Sequence, residues 1–174
     1  MSPVEVFADQ VRVYFEQVHQ EVFADDPASN PCMSVEVIGA ATAKDTPVVI
    51  LIAPWTLCGL ALPPDGRLVS TLRVGHSHYP ALVNEVDKIG SYWSVMLVPD
   101  VSGYTSQEEA RHKAQSLAEP FRQAVEKARQ ELTEVADADR RSLFNTVAGK
   151  PESAAPVGTA FGSPDGSSSP TQGG

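Results

Sequence analysis

The sequence predicts an α+β fold: a two-layer sandwich in which an antiparallel sheet of about five strands packs with an N-terminal helix and a long C-terminal helix. Three observations predict it: an amphipathic helical pattern at the start of the chain, strand-like segments joined by turns, and a long amphipathic pattern after them. Strands that follow one another through turns pair antiparallel, and apolar helix faces cover a sheet. We therefore expect the terminal helices to cover the inner face of the sheet.

The first helix is predicted from about Val4 to Phe23. Apolar residues recur there at steps of three and four, which is the spacing of one helix face. Ser2 is a suitable N-cap residue, and Pro3 suits the first helical turn. The acidic and proline-rich segment that begins at Asp25 ends the helix.

Five segments after this helix have the composition of strands. The second and third are almost entirely apolar, and the last two are joined by a tight turn that ends in glycine. Residues Arg67–His78 fit either a short helix or an irregular connection. The predicted strands are Ser34–Ala41, Val48–Ala53, Thr56–Leu62, Tyr79–Val86 and Ser91–Val98.

The stretch Pro47–Gly66 is the most apolar part of the chain, and no charge occurs in it before Asp65. Such a stretch is buried in a core, in a membrane or against a partner. A membrane-spanning helix needs about 20 apolar residues, but Pro54 would break it, and the β-branched residues favour strands. We expect a protein that does not span a membrane, with Pro54-Trp55 as a bend between two buried strands.

A second, long helix is predicted after the last strand. The sequence Thr105-Ser106-Gln107-Glu108 has the form of a capping box. The apolar stripe that follows runs through Pro120, which predicts one kinked helix or two nearly collinear ones. From Lys150 onward Gly, Ser and Pro dominate, so the predicted domains are a folded domain at 1–149 and a disordered tail at 150–174.

Composition excludes several classes of protein. The net charge of −9 argues against a nucleic-acid partner, because phosphate binding needs clustered Lys and Arg, whereas an acidic surface accepts a basic peptide. The N-terminus lacks the cationic and apolar regions of a secretory signal. Cys32 and Cys58 are too few for a disulfide scaffold, so we expect a reduced, cytoplasmic protein.

No constellation typical of an enzyme is present in the sequence. There is no glycine-rich phosphate loop, no nucleophile elbow, and no combination of nucleophile, base and orienting group. We therefore expect no catalytic residue, no cofactor and no metal. The alternative is a small metal or redox protein that uses His76, His78 and Cys58, although exposed histidines and an incidental thiol account for these residues more simply.

The aromatic and basic residues offer candidate binding positions. Trp55 fits either core packing or a rigid anchor that lines a peptide groove. Trp93 is expected in the core, and Tyr92, on the opposite face of its strand, is expected at the surface. Arg140 and Arg141, beyond the predicted second helix, suit a solvated or capping role or contact with a partner.

Four short motifs resemble those of the HybE/HupJ-type NiFe-hydrogenase assembly chaperone family, in family order and over about Val4–Gly149. One departure concerns Val95, which stands where family members often have a cysteine, so any cysteine-based role is put in doubt. The motifs are Asn30-Pro31 with Val35-Glu36-Val37-Ile38-Gly39, then Ala53-Pro54-Trp55-Thr56-Leu57, Gly90-x-Tyr92-Trp93-Ser94, and Arg140-Arg141-Ser142-Leu143-Phe144.

The resemblance implies a cytoplasmic accessory chaperone in uptake NiFe-hydrogenase maturation. Such proteins act on the precursor of the iron–sulfur small subunit and are linked with its twin-arginine signal peptide before export; other hydrogenase accessory proteins are further partners. The implied fold is similar to the sandwich of type III secretion chaperones, so the alternative is a generic protein-binding chaperone of that fold with another client. Our hypothesis is that Pro54, Trp55 and Tyr92 line the client groove and that Arg140 and Arg141 contact the partner.

Overall fold

The computed structural model describes residues 1–67 and 69–148. The chain divides into one unit that comprises Met1–Thr133 and a second that begins at Glu134. The tail predicted at 150–174 and the domain boundary predicted at 149 lie outside the described residues.

The described chain contains an N-terminal helix, six strands and a long C-terminal helix. Helix α1 covers Pro3–Val18 and continues into a π-helical turn at His19–Phe23. The strands are β1 Glu36–Ala43, β2 Thr46–Ala53, β3 Thr56–Ala61, β4 Thr71–Val74, β5 Ser77–Val86 and β6 Gly90–Val98, and they are followed by α2 Gln107–Ala148.

All six strands pair antiparallel in the order β1-β2-β3-β6-β5-β4. The predicted α+β architecture is confirmed, but with one more strand than the expected five. The additional strand, β4, lies within the segment Arg67–His78, which the sequence left open. It has only four residues, alternately exposed and buried, and Gly75 turns the chain into β5 with a φ of 63°. So short an alternation gives a weak pattern in sequence.

The sheet is covered on both faces around β2. Every residue of β2 is buried, and neighbouring residues on a strand point to opposite faces. Helix α1 packs on one face, and residues 107–133 of α2 pack on the other. The α1-side cluster includes Phe7, Val11, Val49, Leu51, Cys58, Leu60 and Tyr92; the α2-side cluster includes Ile50, Ile52, Trp93, Val95, Ala114, Phe121 and Val125.

Opposite placement of the helices differs from the expectation that both would cover the same inner face. A strand that is apolar at every position indicates that both faces are buried. It carries no information about which helix covers which face, because that depends on the path of the connecting segments.

The helix starts are fixed by side chains near the predicted caps. Ser2 caps α1, as predicted, and its side chain and the Glu5 carboxylate also form a capping box. At α2 the cap lies one residue later than predicted: the Ser106 hydroxyl accepts from the Glu109 backbone N–H at 3.1 Å, and the Glu109 carboxylate accepts from the Thr105 N–H at 2.9 Å. Pro120 lies inside α2, which is one continuous helix.

Two close contacts set how α2 lies on the sheet. The backbone of Gly59 on β3 faces the ring of Phe121, and a Cβ atom at Gly59 would lie 2.5 Å from that ring. Arg129, which is 3% exposed, donates to the carboxylates of Asp45 and Asp65 at 2.8 to 3.2 Å. A glycine that admits an aromatic ring and a buried arginine that joins two turns therefore fix the helix at two places.

None of the helices in residues 1–67 and 69–148 has both the length and the apolar character needed to cross a bilayer.

Candidate functional site

The face of the sheet that carries α1 is only partly covered. Tyr92 on β6 is buried in the α1-side cluster, and Ser94 and Met96 follow it on the same face. Leu82 on β5 pairs with Ser94 and so shares this face. Leu82 is 55% exposed and Met96 is 47% exposed. We call the surface formed by Pro80, Leu82, Ser94 and Met96 the open face.

The strands beneath the open face are held in register by polar and packing contacts. The Asn84 side-chain amide donates to the Ser94 hydroxyl at 2.9 Å, across the β5–β6 pair. On the side of β6 away from β5, Met96 pairs with Cys58 of β3, and Cys58 is 8% exposed. The open face is therefore an extension of the α1-side core onto the parts of β5 and β6 that α1 does not cover.

A cleft of about 400 Å³ lies on the same side, between the C-terminal part of α1 and the β5–β6 turn. Val86 on β5 belongs to the face of Leu82 and Asn84, and the exposed Val22 of the π-helical turn lies across the cleft from the strand. The lining combines apolar residues with charges of both signs: Tyr14, Gln17, Val18, Glu21, Val22, Val86, Asp87 and Lys88.

Trp55 lies at the tip of the β2–β3 hairpin and is half-buried. Its ring stacks on Phe23 with centroids 4.1 Å apart and an interplanar angle of 16°, and on His19 at 5.9 Å. Both partners belong to the π-helical turn, a type of helix distortion that is frequent at functional sites. The core-packing alternative for Trp55 is thus partly realised, since the ring packs against this turn and keeps an exposed portion, and its role as a groove anchor stays a prediction.

Asn30 fixes the loop beside this aromatic stack. Its backbone N–H donates to the Pro54 carbonyl at 2.7 Å, and its side-chain amide donates to the carbonyls of Val101 and Tyr104, both at 2.8 Å. One buried asparagine therefore joins the 24–35 loop, the β2–β3 turn and the segment before α2. Pro54 is buried within this arrangement.

A second cleft, of about 450 Å³, opens next to Asn30 and His19. Asp25 and Asp26 are among its lining residues. The Asp26 carboxylate accepts the Ala28 N–H at 2.8 Å and so caps its own turn. The end of α1 near Trp55 therefore combines aromatic surface with negative charge.

Tyr92 was expected at the surface, and that expectation is wrong. The side chain is 4% exposed under α1, and burial raises the pKa of its phenol to about 12, with smaller contributions from Tyr14 and Cys58. Trp93, expected in the core, is fully buried on the other face. A residue so enclosed does not line an open groove; the same holds for buried Pro54.

Arg140 and Arg141 lie in the part of α2 that belongs to the second unit. Both are exposed, and Arg140 is 3.8 Å from the Asp137 carboxylate on the same helix. Their contact with a partner stays a prediction. Leu143 and Phe144, which follow them, are 65% and 73% exposed.

Of the residues weighed for metal or redox chemistry, His76 and His78 belong to the β4–β5 hairpin, whereas Cys58 lies on β3, with β6 in between. His76 occupies the turn between the paired residues Val74 and Ser77, and His78 lies on β5. Burial raises the pKa of the Cys58 thiol and so favours its neutral form. In the described part of the chain, no three or more His, Cys, Asp or Glu residues are grouped to hold a metal.

Sequence reasoning missed the residues that form most of this site. Leu82, Met96 and Val22 were assigned to a strand or helix, but they were not identified as exposed residues. A signal was present on β6, where both alternating sets are apolar. Such a strand has both faces covered, or carries an apolar surface for a partner.

The comparisons with known proteins point to one family. The family model described as NiFe-hydrogenase assembly, chaperone, HybE matches residues 7–146. Among solved structures, the solution structure of HybE from Escherichia coli matches with a TM-score of 0.49 and 22% sequence identity, covering 66% of this chain and 76% of that chain. No curated protein sequence matches the chain significantly.

Proposed function

The chain belongs to the HybE family of NiFe-hydrogenase assembly chaperones, and on this premise we propose that it binds the precursor of the hydrogenase iron–sulfur small subunit in the cytoplasm, together with its twin-arginine signal peptide, before export. It acts by binding and not by catalysis. Other hydrogenase accessory proteins join it on the same client.

The observation that carries this proposal is the open face beside an acidic end of α1. Leu82 and Met96 present apolar side chains on a sheet face that α1 leaves uncovered. A twin-arginine signal peptide has a basic start followed by an apolar middle. The apolar segment would be buried against the open face, which supplies affinity.

The acidic residues near the end of α1 support binding of the basic start of the signal peptide. Glu21 and Asp87 line the cleft that lies on this side of the sheet, and Asp25 and Asp26 line the cleft next to His19. The chain as a whole has a net charge of −9. Carboxylates in these positions would attract the arginines of the signal peptide and speed the encounter. Trp55, with its stacked ring partly exposed, provides a rigid aromatic surface at the His19–Phe23 turn.

The test is a titration of the purified chain with the small-subunit precursor, with and without its signal sequence, followed by calorimetry. Replacing both Leu82 and Met96 with serine should weaken binding by at least about tenfold, because each loses about 1 kcal/mol or more of apolar burial. Removing the signal sequence should weaken binding similarly.

Val83 provides the matched control. It is the next residue on β5 after Leu82, is 63% exposed, and points to the opposite face. Val83→Ser should bind the precursor as the unaltered chain does. If the double variant keeps its circular dichroism spectrum and binds the precursor as tightly as Val83→Ser does, the open face is not the client surface. If the precursor without its signal sequence binds as tightly as the complete precursor, the signal peptide is not recognised.

A further inference from the structure

A groove lies at the β4 edge of the sheet, between the β4–β5 hairpin and α2, and shares no lining residue with the open face. Two clefts, of about 260 Å³ and about 520 Å³, share Arg73, Ala124 and Lys127 in their lining and so form one groove. We call it the basic groove. Its remaining lining residues are Val69, Thr71, Leu72, Gly75, His78, Pro120, Gln123, Ala128 and Glu131.

Within residues 1–67 and 69–148, no carboxylate pairs with the basic side chains of the groove. In a chain with 13 Lys and Arg against 22 Asp and Glu, most other arginines hold carboxylates: Arg12, Arg111, Arg122 and Arg129 all do so. Arg73 instead donates only to the Gly75 carbonyl, at 3.3 Å. Within the described residues, the side chains of Lys127 and His78 have neither a hydrogen-bond nor an ion-pair partner.

One carboxylate, Glu131, lies among the described lining residues, but no ion pair joins it to Lys127 or Arg73. The groove therefore has net positive charge, whereas the whole chain has a net charge of −9. Basic side chains that are left without internal carboxylate partners on an acidic protein are available to an external anion.

The shape of the basic groove fits an extended chain better than a small ion. Apolar residues line it beside the charges, including Val69 and Leu72. Strand β4 forms one edge of the sheet, so one side of its backbone has no neighbouring strand. An extended peptide can pair with such an edge and place alternate side chains in adjacent pockets.

We propose that the basic groove binds an extended acidic segment of a partner protein, whose carboxylates contact Arg73 and Lys127 while its apolar side chains pack between β4 and α2. This site is separate from the open face and would recruit a second protein while the client is bound. The inference does not depend on the identity of the client.

The test uses a fluorescein-labelled ten-residue peptide of alternating Glu and Val, titrated with the full chain and followed by fluorescence anisotropy. We expect binding that weakens as salt is raised, and no binding of the corresponding Lys-Val peptide. Arg73→Glu and Lys127→Glu should each weaken binding by about tenfold, because attraction is replaced by repulsion.

Lys113→Glu is the matched control, since Lys113 is an exposed lysine of α2 that does not line the groove. It should leave the affinity unchanged. Equal effects of Lys113→Glu and Lys127→Glu would show a general charge effect and overturn the proposal.

Two other results would also overturn it. Displacement of the peptide by an equimolar concentration of inorganic phosphate would indicate a site for a small anion. A dimer in light scattering that Lys127→Glu dissociates would assign the groove to a second copy of the chain. Binding of the small-subunit precursor by Lys127→Glu is expected to be normal, so failure here would leave the proposed function intact.

Discussion

Replacing Arg129 with methionine tests how α2 is fixed to the sheet. The guanidinium is 3% exposed and donates to Asp45 in the β1–β2 turn and to Asp65 after β3. It also donates to the Arg67 carbonyl at 3.3 Å. Methionine has a similar shape and removes all five hydrogen bonds, so the two carboxylates lose their common partner.

The expected loss in the free energy of unfolding depends on how exposed Arg129 and its two carboxylate partners are. Breaking a buried ion pair by removing one partner costs about 3–5 kcal/mol, chiefly because the remaining charge is buried. Here the side chains of Asp45 and Asp65 are 47% and 45% exposed, so both are rehydrated in the variant. We therefore expect a loss of about 2–3 kcal/mol in the free energy of unfolding, which lowers the Tm by about 5–10 °C for a chain of this size.

The pH dependence gives an independent check. Hydrogen bonds from Arg129 hold the pKa values of Asp45 and Asp65 below their ordinary value of 3.8, against a smaller opposing effect of burial. A lowered carboxyl pKa contributes stability above the unfolded-state pKa, and that contribution is lost as the pH falls through the folded-state pKa. The difference between the unaltered chain and Arg129→Met should be constant from about pH 5 to 8 and should shrink below about pH 4.

Urea unfolding followed by circular dichroism at pH 7 and pH 3.5 measures both quantities. Arg122→Met is the control, because Arg122 pairs with Glu119 and Glu126 on the surface of the same helix; it should cost less than about 1 kcal/mol. Equal costs for Arg129→Met and Arg122→Met at pH 7 would refute the argument that burial makes the Arg129 interactions stronger.

Two further predictions concern packing and thiol reactivity. Gly59→Ala should destabilise the fold by at least about 1–3 kcal/mol in thermal unfolding, because the new Cβ would lie 2.5 Å from the Phe121 ring. Gly103→Ala is the control and should destabilise the fold far less, because nothing lies within 4 Å of a Cβ at that position. Equal losses of stability in the two variants would contradict the packing argument. With a thiol reagent at pH 8, the exposed Cys32 should react rapidly. Cys58 should react only after urea is added, because it is buried and the pKa of its thiol is raised. If both thiols of the native protein react equally fast, the described burial of Cys58 is wrong.

The uncovered part of the sheet follows from where α1 packs on it. Helix α1 contacts β1 and β2, at one side of the six-stranded sheet. The cluster under α1 reaches Tyr92 on β6 and Val86 on β5, but it does not include Leu82 or Met96 on the same face. Leu82 and Met96 are therefore exposed on a face whose other half is core, and this arrangement is the basis of the proposed client surface.

Local patterns in the sequence are enough to predict the class of fold and most of the elements that build it. The β-branched run in β2, the proline at Pro54 and the helical spacing from Val4 each constrain local structure, since they act through neighbouring residues. The same local signals located Trp55 at a turn and Trp93 in the core. The four motifs also indicated the family, which the match over residues 7–146 confirms.

Which surfaces remain open depends on contacts between elements that are distant in sequence. The fourth strand was too short to be recognised, the two helices lie on opposite faces, and Tyr92 is buried under α1 although its strand pattern allowed exposure. The partners of Trp55 and Arg129 come from elements distant in sequence. Burial and charge pairing depend on which element covers which face, and that is fixed by packing between distant segments and not by the spacing of residues along the chain.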